Sequence, residues 1–191
     1  MRPALTLLLV VFLLSCAAAQ SYPDLPGLET ARLAHQQRAM LVLGGWAVGN
    51  IGVGLALRGN TEGSTRRFHE MNAIWNVVNL GIAGLGYFTL GGPETEVLSG
   101  WGENVSFEKI LLFNAGLDVG YVLGGLYLRE RARRPDADTD RLRGYGNSIV
   151  LQGGFLFVFD LVNYFIAQGR DEPYRLLLGG TSDGIGLMLS F

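Results

Sequence analysis

Apolar residues gather along this chain into runs of roughly twenty, the length that crosses a bilayer as a helix, and the charged residues collect between the runs. Four such runs stand at residues 40–57, 73–92, 107–128 and 149–168. A helix rising about 1.5 Å per residue needs roughly 20 residues to cross about 30 Å of hydrocarbon, so each run predicts one spanning helix. Proline is absent from all four, which leaves every backbone N–H free to donate within its own helix. The expected fold is an all-α membrane protein, a four-transmembrane-helix bundle with a short extracytoplasmic C-terminal tail.

The runs are not uniformly apolar. His69, Asn72, Asn76 and Asn79 recur at steps of three and four and stack on one face of the second helix. Asn114, Asp118, Tyr121 and Gly125 share a face of the third. Gln152, Asp160 and Asn163 fall within about 80° of arc on the fourth at 100° per residue, and the first contributes Asn50. The expected polar membrane core is therefore Asn50, Asn72, Asn76, Asn79, Asn114, Asp118, Gln152, Asp160 and Asn163, with His69 at the level of the interface.

Asp118 and Asp160 lie near the middle of their runs, with no Lys or Arg at that depth to pair with them; Lys109 stands at the edge of the third run. An ionised carboxylate there costs several kcal/mol. In one reading the two are neutral and hydrogen-bond to the asparagines as glue between helices. In the other they carry a proton or small cation along a hydrated path. The absence of helix-breaking proline and the small number of helices favour glue.

Glycine marks a different face. Gly116, Gly120 and Gly124 make two successive small-xxx-small steps opposite Asp118, and Gly45 and Gly49 make one in the first run. Such steps let helices approach closely. The third helix, with a polar face and a glycine face, is then central, or its second face meets another copy as a homodimer.

The loop charges set an orientation. Arg58, Arg66 and Arg67 separate runs one and two; Arg129, Arg131, Arg133, Arg134, Arg141 and Arg143 separate three and four; Glu94, Glu96 and Glu103 separate two and three, with no Arg. Arginine-bearing loops stay in the cytoplasm, which places both termini outside. The N-terminus agrees: Arg2, an apolar stretch over 5–14 and Ala17-Ala18-Ala19 read as a secretory signal peptide cleaved after Ala19. Leu13-Leu14-Ser15-Cys16 is the competing motif, a loose lipobox that would be acylated at Cys16. The resulting organisation is a signal peptide at 1–19, an extracytoplasmic lead at 20–39, a membrane domain at 40–170 and an extracytoplasmic tail at 171–191, in a bacterial inner membrane.

A membrane β-barrel is the rival architecture, because Ile185, Leu187, Leu189 and Phe191 alternate with Gly184, Gly186, Met188 and Ser190. Barrel strands run to about ten residues with polar side chains at every second position, whereas residues 149–167 are too long and too apolar for that. Runs one and three also align without gaps, at Val48-Gly49 with Val119-Gly120, Gly54-Leu55 with Gly125-Leu126 and Leu57-Arg58 with Leu128-Arg129. Runs two and four align at residues 75–79 with 159–163. That pattern reads as a duplicated helical hairpin, with parallel repeats.

Composition narrows the function classes. The 191 residues are 49% hydrophobic and 17% charged with a net charge of -2, so no basic field is present to draw in nucleic acid. Cys16 is the sole cysteine, and the two histidines, His35 and His69, fall on opposite sides of the expected bilayer, so neither metal nor cofactor is expected. No Ser/His/Asp set or phosphate-cradling glycine loop stands out, so no catalytic residue is assigned. Asn104-Val105-Ser106 matches a glycosylation acceptor.

Residues 68–79, Phe-His-Glu-Met-Asn-Ala-Ile-Trp-Asn-Val-Val-Asn, with Gly44-Gly45-Trp46 before them and Gln152-Gly153-Gly154-Phe155-Leu156 and Phe159-Asp160 after them, resemble a family of uncharacterised bacterial multi-pass membrane proteins, a domain of unknown function. The resemblance spans residues 30–170, implies a signal peptide and four helices, and carries no activity or ligand. The function expected is structural or interaction-based, within the lipid bilayer. The leading alternative is a proton- or cation-coupled carrier using Asp118 and Asp160, followed by an intramembrane enzyme or an outer-membrane barrel.

Overall fold

Asp24 accepts a hydrogen bond from the Gly27 N–H at 2.8 Å, and Pro26 sits in the first turn that follows. Together they start a helix, since the cap satisfies an orphan N–H and the proline φ suits the first turn. The helix runs on through the first apolar run as α1, Leu25–Arg58. The structure is a computed structural model, which describes residues 24–179. Three further long helices follow, α2 (Gly63–Phe88), α3 (Val97–Arg131) and α4 (Thr139–Gln168), and then the short α5 (Asp171–Gly179). There is no strand among the described residues. The signal peptide and the alternating tail at 184–191 lie outside them.

Each long helix begins ten to fifteen residues before its apolar run. At roughly 1.5 Å per residue the 34 residues of α1 extend about 50 Å, well beyond a hydrocarbon core. Most of the lead at 20–39 is helix, begun by the capped start at Asp24. The first part of the tail is helical as well.

α1 packs on α2, α3 on α4, and α2 on α4. The two arginine-bearing turns come together at one end, where Gly63 lies against Asp140 and Gly144 against Ser64 and Phe68. Gly63 has φ 56°, the left-handed backbone that glycine adopts without strain. At the other end the start of α1, the loop carrying Glu94, the start of α3 and α5 converge.

Polar side chains dominate the interior. Asn76, Asn104, Gln152 and Glu29 are fully enclosed, while Val77, Val78, Leu85, Phe88, Phe113, Leu123 and Phe165 stand out on the surface. A water-soluble domain has the reverse arrangement. Three helices are long and apolar enough to cross a membrane, Leu25–Arg58, Val97–Arg131 and the continuous stretch Thr139–Gly179. α2 falls short of the same measure. His69, Asn72, Asn76 and Asn79 all face inward on it, while its outer face carries Ile74, Val77, Val78, Ile82, Leu85 and Phe88.

The glycines that bring helices together are not those of the small-residue steps. An added Cβ at Gly45, Gly49, Gly116, Gly120 or Gly124 would meet nothing within 4 Å, because these positions face outward from the single chain. Within the chain, the close contacts expected there fall instead at Gly54 and Gly125. At Gly54 a Cβ would lie 2.7 Å from the His69 carbonyl oxygen and 2.9 Å from the Ala73 side chain; at Gly125 it would lie 2.8 Å from the Gly146 carbonyl oxygen and from the Val150 side chain. Both hairpins thus make the same contact, a glycine against a carbonyl and the residue four positions later. This equivalence sets the second helices two turns out of step with the alignment of residues 75–79 to 159–163.

Candidate functional site

Two buried polar networks occupy the bundle, one at the level of the apolar runs and one at the end formed by α1, α3 and α5. The first is a closed circuit. The Trp46 indole N–H donates to Gln152 Oε1 at 2.8 Å, Gln152 Nε2 to Asn72 Oδ1, Asn72 Nδ2 to Asn50 Oδ1 at 2.7 Å, and Asn50 Nδ2 back to the Trp46 carbonyl at 2.8 Å. Donors and acceptors follow head to tail, so each bond polarises the next, and the circuit ties α1, α2 and α4 together. Trp46 also stacks on Phe155 with ring centroids 3.8 Å apart. Asn76 and Asn79 continue the file along α2, Asn76 to the Asn72 carbonyl and Asn79 to Asn76.

Asp118 on α3 and Asp160 on α4 are both buried and meet each other side chain to side chain. Asp118 Oδ2 is enclosed with no hydrogen-bond partner. The expectation that each carboxyl would be held by an Asn or Gln thus gives way to a carboxyl pair. The amides that were to hold them are engaged elsewhere: Asn72 and Gln152 in the circuit, Asn163 with His35 and the Phe159 carbonyl. Asn114 is only half-buried. His69 is buried at the start of α2, its Nδ1 unpartnered and its ring edge-on to Phe68.

The second network centres on Glu29, which is 0% exposed. Arg32 reaches it with Nη2 to Oε2 at 2.6 Å and Nε to the same oxygen at 3.2 Å. Tyr174 on α5 donates its hydroxyl to Oε1 at 2.5 Å, and the Glu94 backbone N–H donates to Oε2 at 2.9 Å. Burial alone would raise the Glu29 pKa, but the bonds from Arg32, Tyr174 and Glu94 outweigh it and hold the carboxyl below its usual range. The same burial and the adjacent carboxylate push the Tyr174 hydroxyl up. Gly100 leaves room for the Glu29 carboxyl and the Tyr174 ring, where a Cβ would collide with both.

Beside it, Arg170 bridges α1 and α3. Its Nη2 lies 2.9 Å from His35 Nδ1 and its Nε donates to Asn104 Oδ1 at 2.9 Å. A guanidinium only donates, so Nδ1 carries the lone pair, and His35 Nε2–H donates to Asn163 Oδ1 at 2.9 Å. The neutral tautomer is thereby fixed. Burial first, and then the Arg170 and Arg38 charges, lower the His35 pKa to about 4 against the Asn163 bond that raises it. Asn104 donates to Glu108 at 2.7 Å and to the Ala167 carbonyl at 3.0 Å, and Asp171 takes the Trp101 indole N–H at 3.1 Å. Asn104 is fully buried, which closes it to glycosylation in the folded chain.

This second network was missing from the sequence reading. Its signal was the polar series Glu29, Arg32, His35 and Gln36, which continues the inward face of α1 at steps of three and four. A lead described only as polar hides that periodicity. Among the described residues no group of three or more His, Cys, Asp or Glu is placed to hold a metal ion.

No curated protein and no solved structure matches the chain. A family model covers residues 42–161, which takes in the Trp46–Gln152–Asn72–Asn50 circuit and the carboxyl pair and leaves out the Glu29 network. On that match the chain belongs to a family of unknown function, DUF6992.

Proposed function

We propose that this protein is an integral membrane protein of four spans with a structural or interaction role, its polar interior serving to hold the helices in one arrangement. The observation that carries the reading is the inverted surface: amides and carboxyls enclosed at the centre, aliphatic and aromatic side chains outward on all four long helices. In hydrocarbon apolar burial drives no association, and hydrogen bonds between helices together with close packing take its place. α2 counts as a span on this reading, since its three inward asparagines lower its average hydropathy without exposing anything polar to lipid. The arginine-bearing turns then face the cytoplasm and both termini the outside of a bacterial inner membrane.

The paired carboxyls favour a second reading, a proton- or cation-coupled carrier, because two carboxyls in contact can share and release a proton. Purified parent chain, Asp118→Asn and Asp160→Asn in lipid vesicles separate the two. The structural reading expects all three to fold with similar melting temperatures and to show no difference in proton uptake between pH 5 and 9. Uptake by the parent that vanishes in folded variants would favour the carrier.

A further inference from the structure

At the end of the bundle formed by the arginine-bearing turns, α3, the following turn and the start of α4 enclose a recess of about 430 Å³. Arg131, Arg134 and Arg141 line it together with Leu128, Leu142 and Tyr145. Among the described residues none of the three arginines has a carboxylate within 4.0 Å, whereas Arg133 pairs with Glu130 at 3.0 Å. Arg131 lies 3.5 Å from the Tyr127 hydroxyl and Arg141 lies over the Tyr145 ring. Two carboxylates also line the recess, and that of Asp138 accepts the Arg141 backbone N–H at 3.1 Å as the cap of α4. Three guanidinium groups over an apolar floor suit an anionic group carried on an apolar body.

The recess and the open glycine stripe lie on one face of α3. At 100° per residue, Gly120, Gly124 and Arg131 fall within about 40° of one another on α3. An added Cβ at Gly116, Gly120 or Gly124 meets nothing within 4 Å, so the stripe is a shallow open trough on the apolar surface, with the exposed Tyr127 between Gly124 and Arg131. A second copy of the chain in this trough, related by an axis along the membrane normal, would set the same arginines against each other, which like charges disfavour. A lipid has the required shape: phosphate at the arginines, acyl chain against the glycines.

We infer that the Arg131, Arg134 and Arg141 recess with the Gly120 and Gly124 trough is a binding site for an anionic phospholipid of the bilayer. The inference rests on the membrane-spanning reading and adds to it a specific ligand.

The test is the thermal melting of the full chain in detergent with added phosphatidylglycerol, phosphatidylcholine or soluble glycerol phosphate. Phosphatidylglycerol raises the melting temperature by at least about 3 °C, and the other two do not. Arg131→Gln/Arg134→Gln/Arg141→Gln abolishes that rise, while Arg129→Gln/Arg143→Gln, which removes charge from the same segment outside the recess, keeps it. Gly124→Leu, which fills the trough, weakens the lipid at least about tenfold, or about 1.4 kcal/mol. An equal rise with phosphatidylcholine, a rise that survives the triple substitution, or a rise reproduced by glycerol phosphate alone would overturn the site. Gly124→Leu that breaks a dimer and leaves the lipid response intact would assign the trough to a second copy and overturn the lipid there. A chain that stays in vesicles through an alkaline wash yet shows no lipid preference fails on the site only; one that washes off fails on the spanning reading too.

Discussion

His35 shows how one buried side chain turns acidity into instability. Its Nδ1 faces the Arg170 guanidinium, so a second ring proton would point at a cation, and its pKa in the fold is about 4 against 6.5 when exposed. As pH falls below 6.5 the unfolded chain takes up this proton and the folded chain does not. The stability is thus complete above pH 6.5 and declines as pH falls toward 4, by about 3 kcal/mol in all. Glu29, held below its usual range, adds a loss in the same direction once pH passes below 4.5. Melting temperatures between pH 7.5 and 4.5 should fall for the parent and far less for His35→Leu; equal slopes would refute this role for His35. Glu29→Ala leaves the Arg32 guanidinium buried without its carboxylate, which costs about 3–5 kcal/mol. Tyr174→Phe removes one charge-assisted bond, at about 1.5–3 kcal/mol. Both should raise amide exchange in Asp171–Gly179, and unchanged exchange there would show that α5 is held by something else.

Among the elements, the hairpins hang on two glycines. Gly54→Leu and Gly125→Leu drive a side chain into a backbone carbonyl and should each cost about 1–3 kcal/mol, whereas Gly120→Ala should leave the melting temperature within experimental error. A milder loss at Gly54 than at Gly120 would contradict the packing described. The difference also explains what the sequence could and could not show. Helix existence was legible because four apolar runs free of proline have few alternatives, and the inward faces at residues 69–79 followed from steps of three and four. Helix starts were not, because the apolar signal stops at the end of each run, while the backbone continues for ten to fifteen residues under caps such as Asp24 and Asp138. Small-xxx-small steps identify places where helices could meet, and they do not say which face has a neighbour. Gly54 and Gly125 were visible as a repeat, and only the structure shows them as the contact. The carboxyl pair was hidden for a similar reason, since the spacing gives each aspartate a face and leaves the register between α3 and α4 open.

For the whole molecule, the decisive property is which side of each helix meets the surroundings. The interior holds two buried hydrogen-bond networks and a carboxyl pair, and the exterior is aliphatic and aromatic along α1 to α4. Three helices are apolar enough on average to cross a membrane, and α2 is not. If the bundle sits in lipid as one unit, α2 must cross with the others despite its average, because it packs against both α1 and α4 along the polar circuit.

That requirement is the most direct point of test. Single cysteines at Val77→Cys, Val78→Cys and Leu85→Cys, each in a Cys16→Ser background, would be spin-labelled and the chain reconstituted in vesicles. The account predicts high accessibility to dissolved oxygen and low accessibility to a water-soluble nickel complex at all three positions, with the reverse for a label at Thr61→Cys in the turn before α2. Ready access of the nickel complex to positions 77, 78 and 85 would place α2 in water and contradict the four-span, polar-core bundle.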